Sequence, residues 1–209
     1  PPVRKEVTNY MLAKLAKRKL KHFSYPVVAN YTADTSLNGN SIEEVNTILG
    51  KKHTAKQEAE TIIQMMEKGG ASMVFHGMSE ADVKAIMRYP FNMFASDASI
   101  RVYKEGNPHP RGYGTNARVL KKYVREENVI TLEEAVRRMT SLPAQKFGFS
   151  DRGLLRQNFA ADIVLFDEAA VGDRAEYKNP HQYATGFNYV IVNGCKRFNN
   201  YIFSDFGAR

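Results

Sequence analysis

Apolar residues in the first 31 positions follow two different spacings, one helical and one extended. Residues 3–21 contain neither glycine nor proline, and an apolar stripe from Val7 to Leu15 recurs at helical intervals. Residues 23–31 form a short apolar and aromatic run that leads into a polar loop through Asn40. The pattern therefore predicts a helix followed by a short strand.

Two Ser/Thr-x-x-Glu/Gln patterns mark the starts of two more helices. Ser41 with Glu44, and Thr54 with Gln57, have the spacing of a capping box. The second of these helices is stopped by Gly69–Gly70, because glycine readily takes the left-handed backbone angles that end a helix. The first 70 residues are therefore predicted to be mainly helix and loop.

The next segment alternates between apolar runs and one capped helix. Residues 71–76 form a short apolar run, Ser79 begins a helix that must end before Pro90, and residues 91–96 form a second apolar run. Strand, helix and strand in this order predict a parallel α/β sheet, whose buried strands are almost continuously apolar.

The remaining chain changes from helical to extended patterns. Asn193–Gly194 is a strong signal for a type I′ hairpin, since both of its central positions need left-handed angles. The predicted elements are, in order, a loop at 98–114, helices at 115–127, from Thr131 and at 143–148, and strands at 161–166, 187–192 and 198–203. These strands are too few to complete a sheet, so the missing strands should lie upstream in a longer protein.

Composition narrows the partners without defining them. The net charge of +8 introduces nucleic-acid binding as an alternative, but the basic cluster of residues 14–21 lies in the segment with the apolar stripe and is explained as its solvated face. No run approaches the about 20 apolar residues that a membrane helix needs. The single Cys195 excludes an internal disulfide and a cysteine zinc knuckle. We expect a cytoplasmic protein with neither a nucleic-acid nor a membrane partner.

Asp97 stands at the end of an apolar run, where a loop begins. In α/β barrels that end of a strand faces the active site, so a carboxylate there suits a metal ligand or a general base. Aspartate after a strand also serves simply as a turn or helix-capping residue. Spacing alone leaves both interpretations open.

Arg111 follows a stiff loop, because Pro108 and Pro110 restrict the backbone on either side of His109. An arginine held in this way can bind a carboxylate with two parallel hydrogen bonds. The alternative is a rigid surface loop with a solvated arginine. The other histidines, His22, His53, His76 and His181, have no metal-ligand spacing, and no serine-nucleophile motif is present.

Taken together, several stretches resemble the N-acyl-D-amino-acid deacylases (D-aminoacylases) of the amidohydrolase superfamily. They are residues 91–97, 108–115, 123–127, 132–147, 151–153, 161–164 and 179–183, in the expected order. The resemblance implies an α/β fold: the last part of a metal-dependent-hydrolase TIM-type barrel with an inserted segment, plus C-terminal strands of a small β domain. It implies a division into an inserted segment at 1–70, βα units at 71–150 and part of a small β-sandwich domain at 151–209.

The resemblance also implies site residues. Asp97 matches the aspartate that contacts the metal and acts as general acid and base, and Arg111 matches the arginine that binds the substrate's α-carboxylate. Phe75 and Met78 match apolar positions around the substrate side chain, with core packing as the alternative. One departure is Ala98, where the family usually has glycine, which removes backbone freedom directly after Asp97.

The implied activity is zinc-dependent hydrolysis of the N-acyl bond of an N-acyl-D-amino acid, a small-molecule partner. N-acyl-glutamate, N-acyl-aspartate or a cyclic amide are alternative substrates. The zinc ligands upstream of Asp97 are not in this chain, so the missing N-terminal part is itself an expected partner. The chain alone is expected neither to bind zinc tightly nor to hydrolyse N-acyl amino acids, because a catalytic zinc wants about three protein ligands. A truncated or degenerate homologue acting as a binding or assembly module is the rival hypothesis.

Overall fold

The computed structural model describes residues 2–100 and 102–197, which divide into two compact units. Among the described residues, unit 1 contains 2–77 and 106–108, and unit 2 contains 78–100, 102–105 and 109–197. No helix in the described ranges has both the length and the apolar character that crossing a membrane requires. The predicted division into 1–70, 71–150 and 151–209 stays a prediction.

Unit 1 packs three α-helices and a two-stranded antiparallel ribbon around one core. Val28 and Val45 are fully buried at its centre, with Ile42 almost completely so. The strands β1 and β2 pair with Val27 opposite Val74, and an irregularity interrupts the register between Val28 and Asn30. The elements are α1 (Pro2–Lys17), β1 (Pro26–Asn30), a 3-10 turn (Thr35–Leu37), α2 (Ile42–Ile48), α3 (Ala55–Glu67) and β2 (Ser72–Phe75).

The helix starts of unit 1 follow the predicted caps. The Ser41 side chain accepts a hydrogen bond from the Glu44 N–H, while the Glu44 carboxylate accepts one from the Ser41 N–H at 2.7 Å, which completes a capping box. Thr54 accepts from the Gln57 N–H in the same way. Each cap satisfies donors that the first helical turn leaves unpaired, so both helix starts are confirmed.

Unit 2 is mainly helical in its first half and β in its second. Its core centres on the buried Val119, Leu120 and Val124 of a π-helical segment, with Ala135 and Val171 packed against them. The elements are α4 (Glu80–Arg88), α5 (Arg111–Arg118), the π-helix (Val119–Glu126), α6 (Leu132–Met139), α7 (Ser141–Lys146), β3 (Ile163–Phe166), β4 (Phe187–Val192) and β5 (Cys195–Arg197).

The three terminal strands form one antiparallel sheet in the order β3-β4-β5. Asn193 and Gly194 both have positive φ, of 49° and 77°, as a type I′ hairpin requires. The hairpin prediction is therefore confirmed. The strand predicted at 198–203 lies outside the described residues.

The predicted parallel strand–helix–strand unit is wrong in this chain. The strand within 71–76 pairs antiparallel with β1, and residues 91–96 form no strand. An apolar run forms a parallel strand only when neighbouring strands form hydrogen bonds with its backbone N–H and C=O groups. Here the Phe94 N–H instead donates to the Arg138 carbonyl at 3.4 Å, which ties the segment to α6.

Candidate active site

Asp97 lies in the loop that follows α4 and has an unusual backbone conformation. Its φ is +48°, a left-handed angle that aspartate tolerates better than most side chains. The carboxylate is 84% exposed. The exposure leaves the carboxylate oxygens accessible, as a metal ligand or proton acceptor needs.

Arg111 opens α5 and reaches the Asp97 carboxylate. Its Nη2 lies 2.9 Å from Asp97 Oδ2, and the arginine side chain is 44% exposed. The structure therefore brings the two residues that the sequence singled out into one site. Pro110 precedes Arg111 at a helical φ of −53°, so the stiff loop runs directly into the first helical turn.

His109 has a structural role that the sequence did not reveal. Its Nδ1 accepts a hydrogen bond from the Arg111 N–H at 3.0 Å, satisfying a donor that the helix start leaves unpaired. The ring also makes an edge contact with Tyr177 at 5.1 Å between centroids. His109 thus orients the residue that carries the candidate carboxylate clamp. A histidine two residues before a helix start is the only local signal for this cap.

Gly114 lets α5 approach its surroundings closely. A Cβ at Gly114 would lie 2.8 Å from the Asp173 Cβ, closer than real Cβ atoms approach. At Gly112 the added atom would meet the Ala98 Cβ at 3.5 Å, an ordinary van der Waals contact. The loop that carries Asp97 therefore rests against the first turn of α5.

An aromatic cluster around His181 lies in the same unit. His181 Nδ1 is 2.8 Å from the Tyr113 hydroxyl and accepts the Lys104 N–H at 3.2 Å. Tyr103 and Tyr183 stack with their ring centroids 5.1 Å apart. The Tyr113–His181 hydrogen bond thereby connects two separate stretches of the family resemblance, 108–115 and 179–183. No local pattern predicts this contact, because Tyr113 and His181 are 68 positions apart.

The base of α5 is anchored by a second ion pair. Arg118 Nη1 lies 3.1 Å from Asp173 Oδ2. Burial lowers the pKa of Arg118, while the hydrogen bond and charge of Asp173 raise it, and the net shift is upward. The guanidinium therefore stays charged and holds the far end of the helix in place.

Phe75 and Met78 are the two remaining predicted site residues, and they lie in different units. Phe75 ends β2 in unit 1, with its ring 6.2 Å from that of Tyr25, and Met78 precedes α4 in unit 2. Both side chains are exposed, so neither belongs to the core of its unit. Their proposed contacts with substrate stay predictions.

The donor chemistry at Asp97 fits one position of a metal site. A carboxylate oxygen is an ordinary zinc ligand, but a catalytic zinc wants about three protein ligands. Within residues 2–100 and 102–197, no group of three His, Cys, Asp or Glu donors includes Asp97. A complete zinc site at Asp97 therefore needs at least one ligand from outside the described residues.

The fold and these residues define the class of protein. Residues 20–195 match the model of the amidohydrolase family, so the chain belongs to that family. The family prediction and the α/β fold class, the last part of a TIM-type amidohydrolase barrel, are thereby confirmed.

The similar curated proteins are deacylases from Alcaligenes xylosoxydans xylosoxydans. An N-acyl-D-glutamate deacylase is 41% identical over 128 residues, 61% of this chain and 26% of its own length. An N-acyl-D-aspartate deacylase is 36% identical over 184 residues, 87% of this chain and 33% of its own. The chain therefore spans only about a quarter to a third of these relatives.

Solved structures give the same assignment. N-acyl-D-glutamate deacylase from Bordetella bronchiseptica, in complex with zinc and a phosphonate inhibitor, matches with a TM-score of 0.72 and 33% identity, over 85% of this chain and 35% of that one. A D-aminoacylase crystal structure matches with a TM-score of 0.71 and 28% identity, over 97% and 44%. Another solved D-aminoacylase has a binuclear metal center. These relatives support a metal cofactor.

Proposed function

We propose that this chain is the C-terminal portion of a zinc-dependent amidohydrolase that hydrolyses the N-acyl bond of N-acyl-D-amino acids. The observation that carries the proposal is the 2.9 Å contact between Arg111 Nη2 and Asp97 Oδ2. It places a proton acceptor and a carboxylate-binding cation side by side on one exposed surface. The similarity of the chain to deacylases named for N-acyl-D-amino acids supports the proposed substrate class.

Asp97 acts as the general base and then as the general acid. Its carboxylate takes a proton from the attacking water and hands it to the leaving amine, which would otherwise depart as a poor anionic leaving group. Zinc would be held by Asp97 together with ligands from outside the described residues, and it would supply Lewis acidity toward the amide carbonyl. The exposure of Asp97 leaves its oxygens accessible for both tasks.

Arg111 binds the α-carboxylate of the substrate. Its planar fork offers two parallel N–H groups, a geometry that lysine cannot reproduce. The Arg111 guanidinium is partly exposed, and His109 accepts a hydrogen bond from the Arg111 backbone N–H. A substrate carboxylate can therefore approach the guanidinium with little reorganisation. Without substrate, the fork rests on Asp97. Phe75 and Met78 are proposed to contact the substrate side chain.

A non-catalytic binding or assembly module is the second candidate. It is favoured by one observation, that no group of three donor side chains among the described residues includes Asp97. The two functions differ in whether ligands upstream complete the metal site, and the full-length protein separates them.

Hydrolysis by the zinc-loaded full-length protein is the deciding experiment. N-acetyl-D-glutamate, N-acetyl-D-aspartate and an apolar N-acetyl-D-amino acid are assayed beside their L enantiomers for release of free amino acid. We expect the D substrates to be preferred by at least about tenfold in kcat/KM, which corresponds to about 1.4 kcal/mol. Protein that binds zinc but hydrolyses none of them supports the module and contradicts the enzyme.

A further inference from the structure

Two histidines and a buried glutamate come together in unit 1. One ligand atom from each of His22, His53 and Glu58 lies within 4.8 Å of the others. The two imidazole rings are 4.3 Å apart between centroids and inclined at 41°. His22 Nδ1 is 2.6 Å from Glu58 Oε1. The three side chains converge although their sequence spacing matches no metal motif.

Glu58 is held in place by the fold. Its side chain is completely buried, in the first turn of α3, where the helix dipole favours a negative charge. Its Oε2 accepts the Phe23 N–H at 2.7 Å, and its Oε1 faces His22. A buried carboxylate needs partners of this kind, because an uncompensated charge in the interior is costly. The glutamate therefore presents one oxygen in a defined direction.

We propose that His22, His53 and Glu58 bind a divalent transition-metal ion of the zinc class. Two imidazole nitrogens and one carboxylate oxygen are a ligand set that zinc prefers. Zinc bonds of about 2.0–2.1 Å put tetrahedral ligands about 3.3 Å apart. This spacing lies between the 2.6 Å from His22 Nδ1 to Glu58 Oε1 and the 4.8 Å within which all three ligand atoms lie. His53 is half exposed and lies just before the Thr54 cap of α3, so its ring can rotate into place.

Charge balance supports a cation at this cluster. Glu58 lies beside His22, and Glu43 Oε1 lies 3.2 Å from His53 Nε2. Because a metal ion binds the neutral form of imidazole, the two carboxylates of a loaded site would leave two negative charges, which one divalent ion balances. Glu43 lies where it can orient His53 or take the fourth position, as carboxylates around metal-binding histidines commonly do.

The competing explanation is a purely structural role, in which His22 and Glu58 form a buried hydrogen bond and His53 pairs with Glu43 at the surface. Both explanations make Glu58 important for stability, so loss of folding in a Glu58 variant does not separate them. The two explanations differ at the exposed His53, which is essential for ion binding only if the cluster is a metal site. His53→Gln keeps the polar surface and should leave the fold intact.

Calorimetric titration of the chelator-treated chain with zinc chloride tests the proposal. We expect one-to-one binding with a Kd of about 10 μM or tighter, and a concentration-dependent rise in Tm. His53→Gln should weaken binding by about 100-fold or more, and Glu43→Gln by about 10–100-fold, the usual cost of losing an outer partner. Cobalt(II) in place of zinc should give visible d–d absorption that disappears in His53→Gln.

Two controls assign the binding to this cluster. His76→Gln removes another exposed histidine of unit 1 and should leave the Kd unchanged, as should Asp97→Asn, which removes the carboxylate of the proposed catalytic site. Zinc binding that survives His53→Gln, or that is weaker than about 1 mM in the wild type, overturns the proposal. Binding lost in Asp97→Asn instead would place the ion at the active-site carboxylate and also overturn it.

Discussion

Two arginine–carboxylate pairs of unit 2 have the same length but very different surroundings. Arg111–Asp97 and Arg138–Glu134 are both 2.9 Å pairs. The first is 44% and 84% exposed on a loop and a helix start, whereas Arg138 is only 3% exposed and Glu134 is 37%. A buried guanidinium is needed to stabilise the fold, because its loss would leave buried polar groups unpaired. An arginine in an exposed pair can release its carboxylate partner and bind a ligand instead.

The partners of Arg138 show what the buried pair does. Arg138 donates to the Met87 carbonyl at the end of α4, to Asn92 Oδ1 at 3.0 Å and to Glu134 Oε2 within α6. It therefore ties α6 to the irregular segment that precedes Asp97. The buried Arg138 therefore holds the loop in place, whereas the exposed Arg111 is accessible to a ligand.

The largest expected effect is on the exposed pair. Asp97→Asn keeps the shape of the side chain but removes the base, so kcat of the full-length enzyme should fall by about 10²–10⁴-fold. Stability should change by less than about 1 kcal/mol, since the pair is exposed. Steady-state kinetics and urea denaturation measure the two quantities. A variant that keeps most of its kcat would show that another group transfers the proton.

Arg111→Ala should be the next largest effect and should differ in kind. Loss of one partner of a desolvated charge pair costs about 2–5 kcal/mol, so kcat/KM should fall by roughly 30-fold to several-thousand-fold. The change should appear in KM more than in kcat, because the substrate carboxylate is charged equally before and during the reaction. Arg111→Lys should recover only part of the loss. A fall confined to kcat would contradict a binding role.

Arg138→Met should have the opposite effect to the Asp97 and Arg111 variants. The protein should lose stability, while the substrate-binding group of Arg111 is unchanged. The substitution keeps much of the volume but leaves the Met87 carbonyl and Asn92 without their donor, at a cost of about 1–3 kcal/mol. Arg137→Met is the matched control, since Arg137 binds the same Glu134 from a side chain that is about one-third exposed. It should cost less than about 1 kcal/mol. Equal urea midpoints for the two variants would remove the distinction.

The smallest expected effect is a pH dependence at Glu134. Hydrogen bonds from Arg137 and then Arg138 lower the pKa of Glu134 from 4.5 to about 2. A lowered folded-state pKa means that this stability is present above pH 4.5 and is lost as the pH falls toward 2. Glu134→Gln should therefore flatten the stability profile in that range. Parallel acid profiles for wild type and variant would show that the ion pairs contribute nothing.

Local features of the sequence predicted the fold better than distant ones. The caps at Ser41 and Thr54 depend on residues three positions away, and the Asn193–Gly194 turn depends on two adjacent residues. The strand predicted at 91–96 was wrong because strand formation depends on partners that pattern alone cannot supply.

The candidate site shows the same limit. Asp97 and Arg111 were found from their loops and from the family resemblance, and the structure brings them together. The His109 cap went unpredicted because the pattern placed residues 98–114 in a loop, whereas α5 begins at Arg111. The cluster of His22, His53 and Glu58 was missed because residues 36 positions apart meet only after α3 packs in unit 1.

A comparison of two substrates tests the central claim, that Asp97 and Arg111 form one site in which the arginine binds the substrate carboxylate. Wild type and Arg111→Ala are assayed on an N-acyl-D-amino acid and on the matching N-acyl amine that lacks the carboxylate. The account predicts a loss of roughly 30-fold or more on the acid and about equal kcat/KM on the amine. Equal losses on both substrates would contradict it, and would show that Arg111 only holds the loop around Asp97.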